Sequence, residues 1–362
     1  MNMSVFDTKK NSAICVLPWV HEHTDIDGNK SPCCFAKNTD SIQSIRDQMI
    51  KGIKPIECST CYTSEQESGW SYRLLETKDW IKKFGEPKVD SPELQYLDVR
   101  FDPTCNLKCK TCGPRESTLW QKEKKIKITP NVSSREYFES VDKSVLKRVY
   151  LAGGEPTFIR AYLEFLEGMY IENRECEIVI NTNLKRLPDR WKDIITKFPR
   201  LSIICSCDAI KDLATYVRYP VEWEKFEQNV DFASRHANFL QFNLVASNLT
   251  THKIDETCNW MKKYSNNINL MILQNPKIFS EKSVPKKARS TYIQSLENIK
   301  KFPVSVYYAA QFRTQVNYLL KKYGEDNYDA HLHHKLKKEI DEQDSHRMLK
   351  LQDVDAFLHN WI

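Results

Sequence analysis

Residues 95–112 read QYLDVRFDPTCNLKCKTC, a strand signal followed at once by a metal-ligand spacing. QYLDVRFD is a short run of β-forming residues. Cys105, Cys109 and Cys112 come next, spaced C-x3-C-x2-C, in a loop that leads into a helix starting near Ser117. Strand-to-helix loops at the carboxyl ends of a parallel barrel are where active sites are built. Three thiolates on a four-iron cubane leave one iron open to a further ligand, the logic of a catalytic centre. A structural zinc site would need a fourth ligand, and no other His or Cys lies close to Cys112. A redox-sensing pair and simple buried thiols are the remaining readings of the same residues.

Working outward, β-rich runs alternate with helically spaced stretches from Leu94 to Pro276. The runs are QYLDVRFD, RVYLAGG, ECEIVINTN, LSIICSCDA, LQFNLVASN and NLMILQNP. Stretches such as EWEKFEQNVDFASRH separate them. Six such units are two short of a closed eight-stranded barrel. The expected fold class is therefore α/β, a partial (β/α)6 TIM-like barrel over residues 91–284. Residues 1–90 hold five of the twelve cysteines within 47 residues and few long apolar runs. Such a segment is expected to lack a core of its own and to be stapled by metal. Residues 285–362 mix basic, acidic and apolar positions at helical spacing, broken at Gly324, and are expected to form a helical extension.

Composition bounds the rest. The 362 residues are 41% hydrophobic and 28% charged, ordinary values for a packed globular chain and unlike a disordered one. No stretch reaches the roughly 18 apolar residues of a membrane span. The start, MNMSVFDTKKNS, has no apolar signal core. A cytoplasmic location and no membrane partner are thus expected, and a reducing compartment turns the cysteines towards metal ligation, catalysis or burial instead of disulfides. The net charge of +6 is modest, and the basic runs QKEKKIKI and HHKLKKEI suit solvated helix faces, so a nucleic-acid partner is not expected.

Later strand ends extend the loop reading. Gly153, Gly154, Glu155 and Pro156 form GGEP after the second strand; Asn181 and Asn183 share a face of the third; Ser206 and Asp208 share a face of the fourth. YVRYP follows with Arg218, and Asn248 ends the fifth strand. With the three-cysteine loop, this order resembles the radical S-adenosylmethionine (SAM) superfamily. The resemblance implies that Cys105, Cys109 and Cys112 hold a [4Fe-4S] cluster and that GGEP binds SAM, with glycines allowing close approach and Glu155 accepting from the amino group. It assigns Asn181 and Asn183 to the ribose hydroxyls, Arg218 to the SAM carboxylate, and Ser206, Asp208 and Asn248 to further cofactor contacts. Strand-end caps and surface polar groups are the alternative reading of these last residues. Thr111 departs from the aromatic residue that often precedes the third cysteine in this superfamily.

Cys15, Cys33, Cys58 and Cys61 form a second group, with Gly28 in the turn sequence DGN and Cys34 left over. This resembles the auxiliary-cluster segment of twitch and SPASM proteins, here placed before the barrel instead of after it. Four ligands suit one auxiliary [4Fe-4S] cluster of the twitch type, and a four-cysteine zinc site is the rival. Cys176, Cys205, Cys207 and Cys258 remain, and some radical enzymes use a barrel cysteine as hydrogen-atom donor. Cys205 and Cys207 face away from Ser206 and Asp208 and are read as buried thiols. His21 and His23, near Cys15, are read as surface residues, with support of the auxiliary site as the alternative.

The resemblance implies reductive cleavage of SAM to a 5′-deoxyadenosyl radical, which abstracts a hydrogen atom from a peptide or small metabolite. An auxiliary cluster that takes up the remaining electron points to net oxidation, with flavodoxin or ferredoxin as electron donor. An RNA-modifying radical enzyme and a non-catalytic iron-sulfur or zinc protein with a degenerate barrel are the competing readings.

Overall fold

The computed structural model describes residues 4–36 and 41–362. All six expected barrel strands are present. They are β3 (Tyr96–Val99), β4 (Arg148–Leu151), β5 (Glu177–Thr182), β6 (Leu201–Ser206), β7 (Phe239–Ala246) and β8 (Ile268–Ile272). Two more precede them, β1 (His21–Thr24) and β2 (Lys30–Ser31). Strand order is β2-β1-β3-β4-β5-β6-β7-β8, and the sheet is open. The β1–β3, β3–β4, β4–β5, β6–β7 and β7–β8 pairs are parallel, whereas β1 and β2 form an antiparallel hairpin. The α/β class and the open, partial barrel therefore hold, and the hairpin adds two strands to the six at one edge of the sheet.

The chain divides into two compact units. The first comprises the residues up to Pro103, Thr129–Ile180 and Lys197–Leu201; the second comprises Thr104–Ile128, Asn181–Thr196 and Ser202–Ile362.

In the first unit the amino-terminal segment does build a core, contrary to expectation. Ile14, Val16, Leu17, Trp19 and Val20 come from one short run, ICVLPWV, and pack with Phe6, Ile45, Met49, Trp80 and the strand residue Tyr96. Few apolar residues are needed because they are bulky and converge from five separate stretches. Phe6 meets Trp19 edge-on at 5.2 Å. Arg148 of β4 is buried among three carboxylates, with Glu76 at 3.0 Å, Asp79 at 2.5 Å and Glu177 also in contact, which pins the helix Tyr72–Phe84 to β4 and β5.

In the second unit Leu240, Phe242, Leu244 and Ala246 bury one face of β7, and Gln241 is the one buried residue on the other face. Phe242 meets Trp260 of the helix Ile254–Met261 at 5.8 Å. Beyond residue 285 the chain is helical, in Arg289–Ile299, Val306–Gly324 and Ala330–Arg347, and Gly324 closes the second of these. Tyr292 stacks on Tyr323 at 4.8 Å and donates its hydroxyl to the Asn248 carbonyl.

Candidate active site

The three-cysteine loop belongs to the second unit and is ordered by its own backbone and by the helix that follows. Ser117 caps the helix Thr118–Lys124 through the Trp120 N–H and turns its hydroxyl onto the Leu107 carbonyl. Thr118 Oγ1 accepts from the Cys105 N–H at 3.3 Å, and the Trp120 indole N–H donates to the Cys109 carbonyl at 2.9 Å. On its other side the loop pairs with residues 217–219, where the Lys108 and Lys110 N–H groups donate to the Tyr219 and Val217 carbonyls at 2.7 and 2.8 Å. The Leu107 N–H points at Cys105 Sγ from 3.4 Å. Burial raises the Cys109 thiol above its ordinary value, and the Arg218 charge opposes that rise. Burial also raises Cys112, helped by repulsion from Cys109 and Glu116.

Five of the expected polar residues gather around this loop. Asn183 Nδ2 donates to Asn106 Oδ1 at 2.9 Å, between the first two cysteines. Ser206 donates to Asn181 Oδ1 at 3.2 Å across β6 and β5. Arg218 Nη1 pairs with Asp208 at 2.8 Å, and Asp208 also accepts from the Val245 N–H at 3.1 Å. The buried Nε of Arg218 has no hydrogen-bond partner in the chain. Asn248 is held elsewhere: its Nδ2 donates to the Ile278 and Ser280 carbonyls and to Ser283, tying β7 to the segment before the carboxyl-terminal helices. Its Oδ1 is buried and unpartnered.

In the first unit, GGEP follows β4. Gly153 has φ of +110°, and a Cβ there would lie 2.7 Å from the Asp102 carbonyl oxygen, while the Gly154 N–H donates to that same oxygen at 2.8 Å. The first glycine is thus required by the chain's own backbone, before any ligand is considered. Glu155 is fully buried and caps the short turn Pro156–Phe158 through the Thr157 N–H at 3.0 Å.

The second cysteine group lies in the same unit. Cys15, Cys33, Cys58 and Cys61 line one cavity, closed by Leu17, Phe35, Tyr72 and Arg73. Burial raises all four thiols, Cys58 to about 12. The hairpin turn expected at DGN is present, with Gly28 at φ +80° between β1 and β2. Cys34 is not among the cavity-lining residues. Among the described residues, no three His, Cys, Asp or Glu side chains are gathered for a single metal ion.

No family model matches the chain. A GTP 3′,8-cyclase from Helicobacter pylori is 26% identical over 101 residues, which is 28% of this chain and 31% of the cyclase. A second H. pylori cyclase is 25% identical over 103 residues. The chain thus matches less than a third of the length of these curated relatives. The likeness is to radical SAM enzymes. Solved structures of the same superfamily lie further off. The native anSMEcpe structure with bound AdoMet has a TM-score of 0.40 and 15% identity, covering 56% of this chain and 57% of that one. Streptococcus suis SuiB bound to precursor peptide SuiA has a TM-score of 0.43 and 12% identity, covering 72% and 57%.

The residues present suit the groups that radical SAM chemistry requires. Three thiols in one ordered loop match a cluster with one open iron. The buried, unpartnered Arg218 Nε beside that loop is the kind of donor that an anionic ligand satisfies. Four thiols around one cavity in the first unit offer one ligand for each iron of a cubane.

Two buried clusters escaped the sequence reading. His21 is buried, and His21 and His23 flank the buried Asp98 at 3.7 and 3.6 Å, so the surface placement of these histidines is overturned. The cause is the parallel pairing of β1 with β3, which sets His23 opposite Asp98. The other cluster joins the cysteine loop to Asp344 and Arg347. The flanking Lys108 and Lys110 were its only local sign, because Lys110 and Glu123, the partner of Lys108, meet Asp344 and Arg347 over two hundred residues further along the chain. Cys205 and Cys207 are buried as expected, and Cys176 and Cys258 are buried too. Among the described residues no helix is long and apolar enough to cross a membrane.

Proposed function

We propose that this chain is a radical SAM enzyme that oxidatively modifies a peptide or small metabolite. The observation that carries the reading is the loop of Cys105, Cys109 and Cys112, ordered on both sides and faced by Arg218 with an unsatisfied buried N–H. The cluster would be held by these three thiolates, and when bound with SAM and reduced it supplies a carbon-centred radical able to abstract hydrogen. Arg218 orients the SAM carboxylate, kept in place by Asp208. Asn181, Asn183 and Ser206 offer neutral donors and acceptors suited to ribose hydroxyls. In the first unit GGEP, where Glu155 caps the turn Pro156–Phe158, offers backbone acceptors of the kind an amino group takes; in the second, Asn248 holds the segment around Ser280 and offers Oδ1 as an acceptor.

Cys15, Cys33, Cys58 and Cys61 would hold an auxiliary [4Fe-4S] cluster, which fits an oxidation better than a redox-neutral rearrangement. The cyclase likeness supports the shared chemistry and leaves the substrate open. A low-potential donor such as flavodoxin or ferredoxin, acting in the cytoplasm, completes the reading.

The test is anaerobic reconstitution with iron and sulfide, followed by SAM and dithionite. Formation of 5′-deoxyadenosine that Cys109→Ala abolishes is the expected result. Peptide, metabolite and RNA pools are then screened for one that accelerates it. Fully reconstituted protein that leaves SAM intact under strong reduction would sink the enzyme reading.

A further inference from the structure

The carboxyl-terminal helix Ala330–Arg347 reaches the cysteine loop through two charged side chains, both within the second unit. Asp344 receives Lys110, whose side chain is fully buried, at 2.5 Å, and accepts the Tyr216 hydroxyl at 2.9 Å. The Lys110 ammonium also sits 4.0 Å from the centre of the Tyr216 ring. Arg347 is fully buried as well and grips Glu123 with two N–H groups, at 3.0 and 3.2 Å. Glu123 in turn contacts Lys108, so both lysines that flank Cys109 are tied, directly or through one carboxylate, to this one helix. The Arg347 guanidinium lies 4.8 Å from the centre of the Trp120 ring, and that indole donates to the Cys109 carbonyl. Its Nη1 is buried without a partner.

Burying an ion pair gains little stability over apolar packing, and two of them around one loop are costly to assemble. Their position explains them better than stability does. Apart from the Tyr216 contact, the links end on residues 108–123, the stretch that carries Cys109 and Cys112 and the helix after them.

We infer that the helix Ala330–Arg347 is a latch on the cluster loop, in which Asp344 and Arg347 are positioning residues that hold Cys109 in ligating geometry. The inference rests on the assignment of Cys105, Cys109 and Cys112 as cluster ligands. Groups that orient first ligands in this way typically change metal affinity by about 10–100-fold when removed. A buried cation beside the cluster favours the more negative, reduced state, so Arg347 raises the cluster's reduction potential.

The test uses the whole 362-residue chain with Cys58 and Cys61 changed to serine, so that iron reports on the loop. Arg347→Gln and Arg347→Lys are reconstituted anaerobically, and iron content, the rate of iron loss to a chelator, the EPR spectrum of the reduced cluster and its midpoint potential are measured. Expected are iron loss about tenfold faster or more, altered EPR g values and a lower potential in Arg347→Gln, with the potential largely restored in Arg347→Lys. Unchanged chelation, spectrum and potential in Arg347→Gln would overturn the latch while leaving the cluster reading intact. No iron in the parent protein would instead remove the cluster reading itself. Should Arg347→Gln fail to fold, Glu123→Gln keeps the shape, removes the carboxylate that Arg347 grips, and decides by the chelation rate and EPR spectrum.

Discussion

Gly153 shows how far a single residue could be read ahead of the fold. Its place in GGEP suggested a ligand, but its φ of +110° and the 2.7 Å approach to the Asp102 carbonyl make it obligatory for the backbone alone. Gly153→Ala is expected to cost about 2 kcal/mol or more in chemical denaturation, from both the left-handed conformation and the clash. Gly52 is the control: it also has positive φ, at +75°, but nothing lies within 4 Å, so Gly52→Ala is expected to cost only about 1 kcal/mol. Equal losses at the two sites would show that the close approach to Asp102 carries no weight. The cysteines were legible because their spacing is local. Arg218 was legible as a cation near a strand end, yet its pairing with Asp208 and its unsatisfied Nε required the fold.

At the scale of elements, caps decide how well the loop and the tail are held. Ser117 serves both the helix Thr118–Lys124 and the Leu107 carbonyl, so Ser117→Ala is expected to lower stability by about 1–2 kcal/mol and to speed iron loss from the loop. A stability loss without any change in iron retention would separate the cap from the loop. Asp355 caps the helix Ala356–His359 and contacts His252 at 3.1 Å and Lys253 at 2.8 Å. Burial pushes its carboxyl up, but His252, Lys253 and the Leu358 N–H outweigh burial and hold it well below the usual carboxylate range. A carboxyl depressed in the folded state stabilises at neutral pH, and that contribution fades as pH falls from about 4 towards the folded value. Asp355→Asn is therefore expected to cost about 1–2 kcal/mol at pH 7 and somewhat less at pH 3, with the rest of the difference lost only at still lower pH, as read by urea denaturation. The six barrel strands were legible from β-rich runs bounded by turns, whereas β1 was not, because HEHT carries no apolar alternation and becomes a strand only by pairing with β3.

For the molecule as a whole, the number of clusters is the property to measure. Reconstituted protein is expected to carry roughly eight irons per chain, and Cys58→Ser with Cys61→Ser roughly four. A parent value near four, unmoved by those exchanges, would leave the auxiliary site to zinc or to nothing. Mass spectrometry under native conditions separates zinc from iron in the same sample. Sequence alone determined the parallel βα order, the cysteine loop and its place after a strand, because these depend on neighbours within about thirty residues. Only the tertiary structure decided what secures the loop. Lys110 and Asp344 are 234 residues apart in the chain, and no local pattern marks them as partners. It also showed that ICVLPWV with Phe6, Trp80 and Tyr96 makes a core in a segment whose low apolar content suggested none. Spacing along a chain records short-range geometry, whereas buried pairs and converging aromatic side chains depend on which surfaces folding brings together.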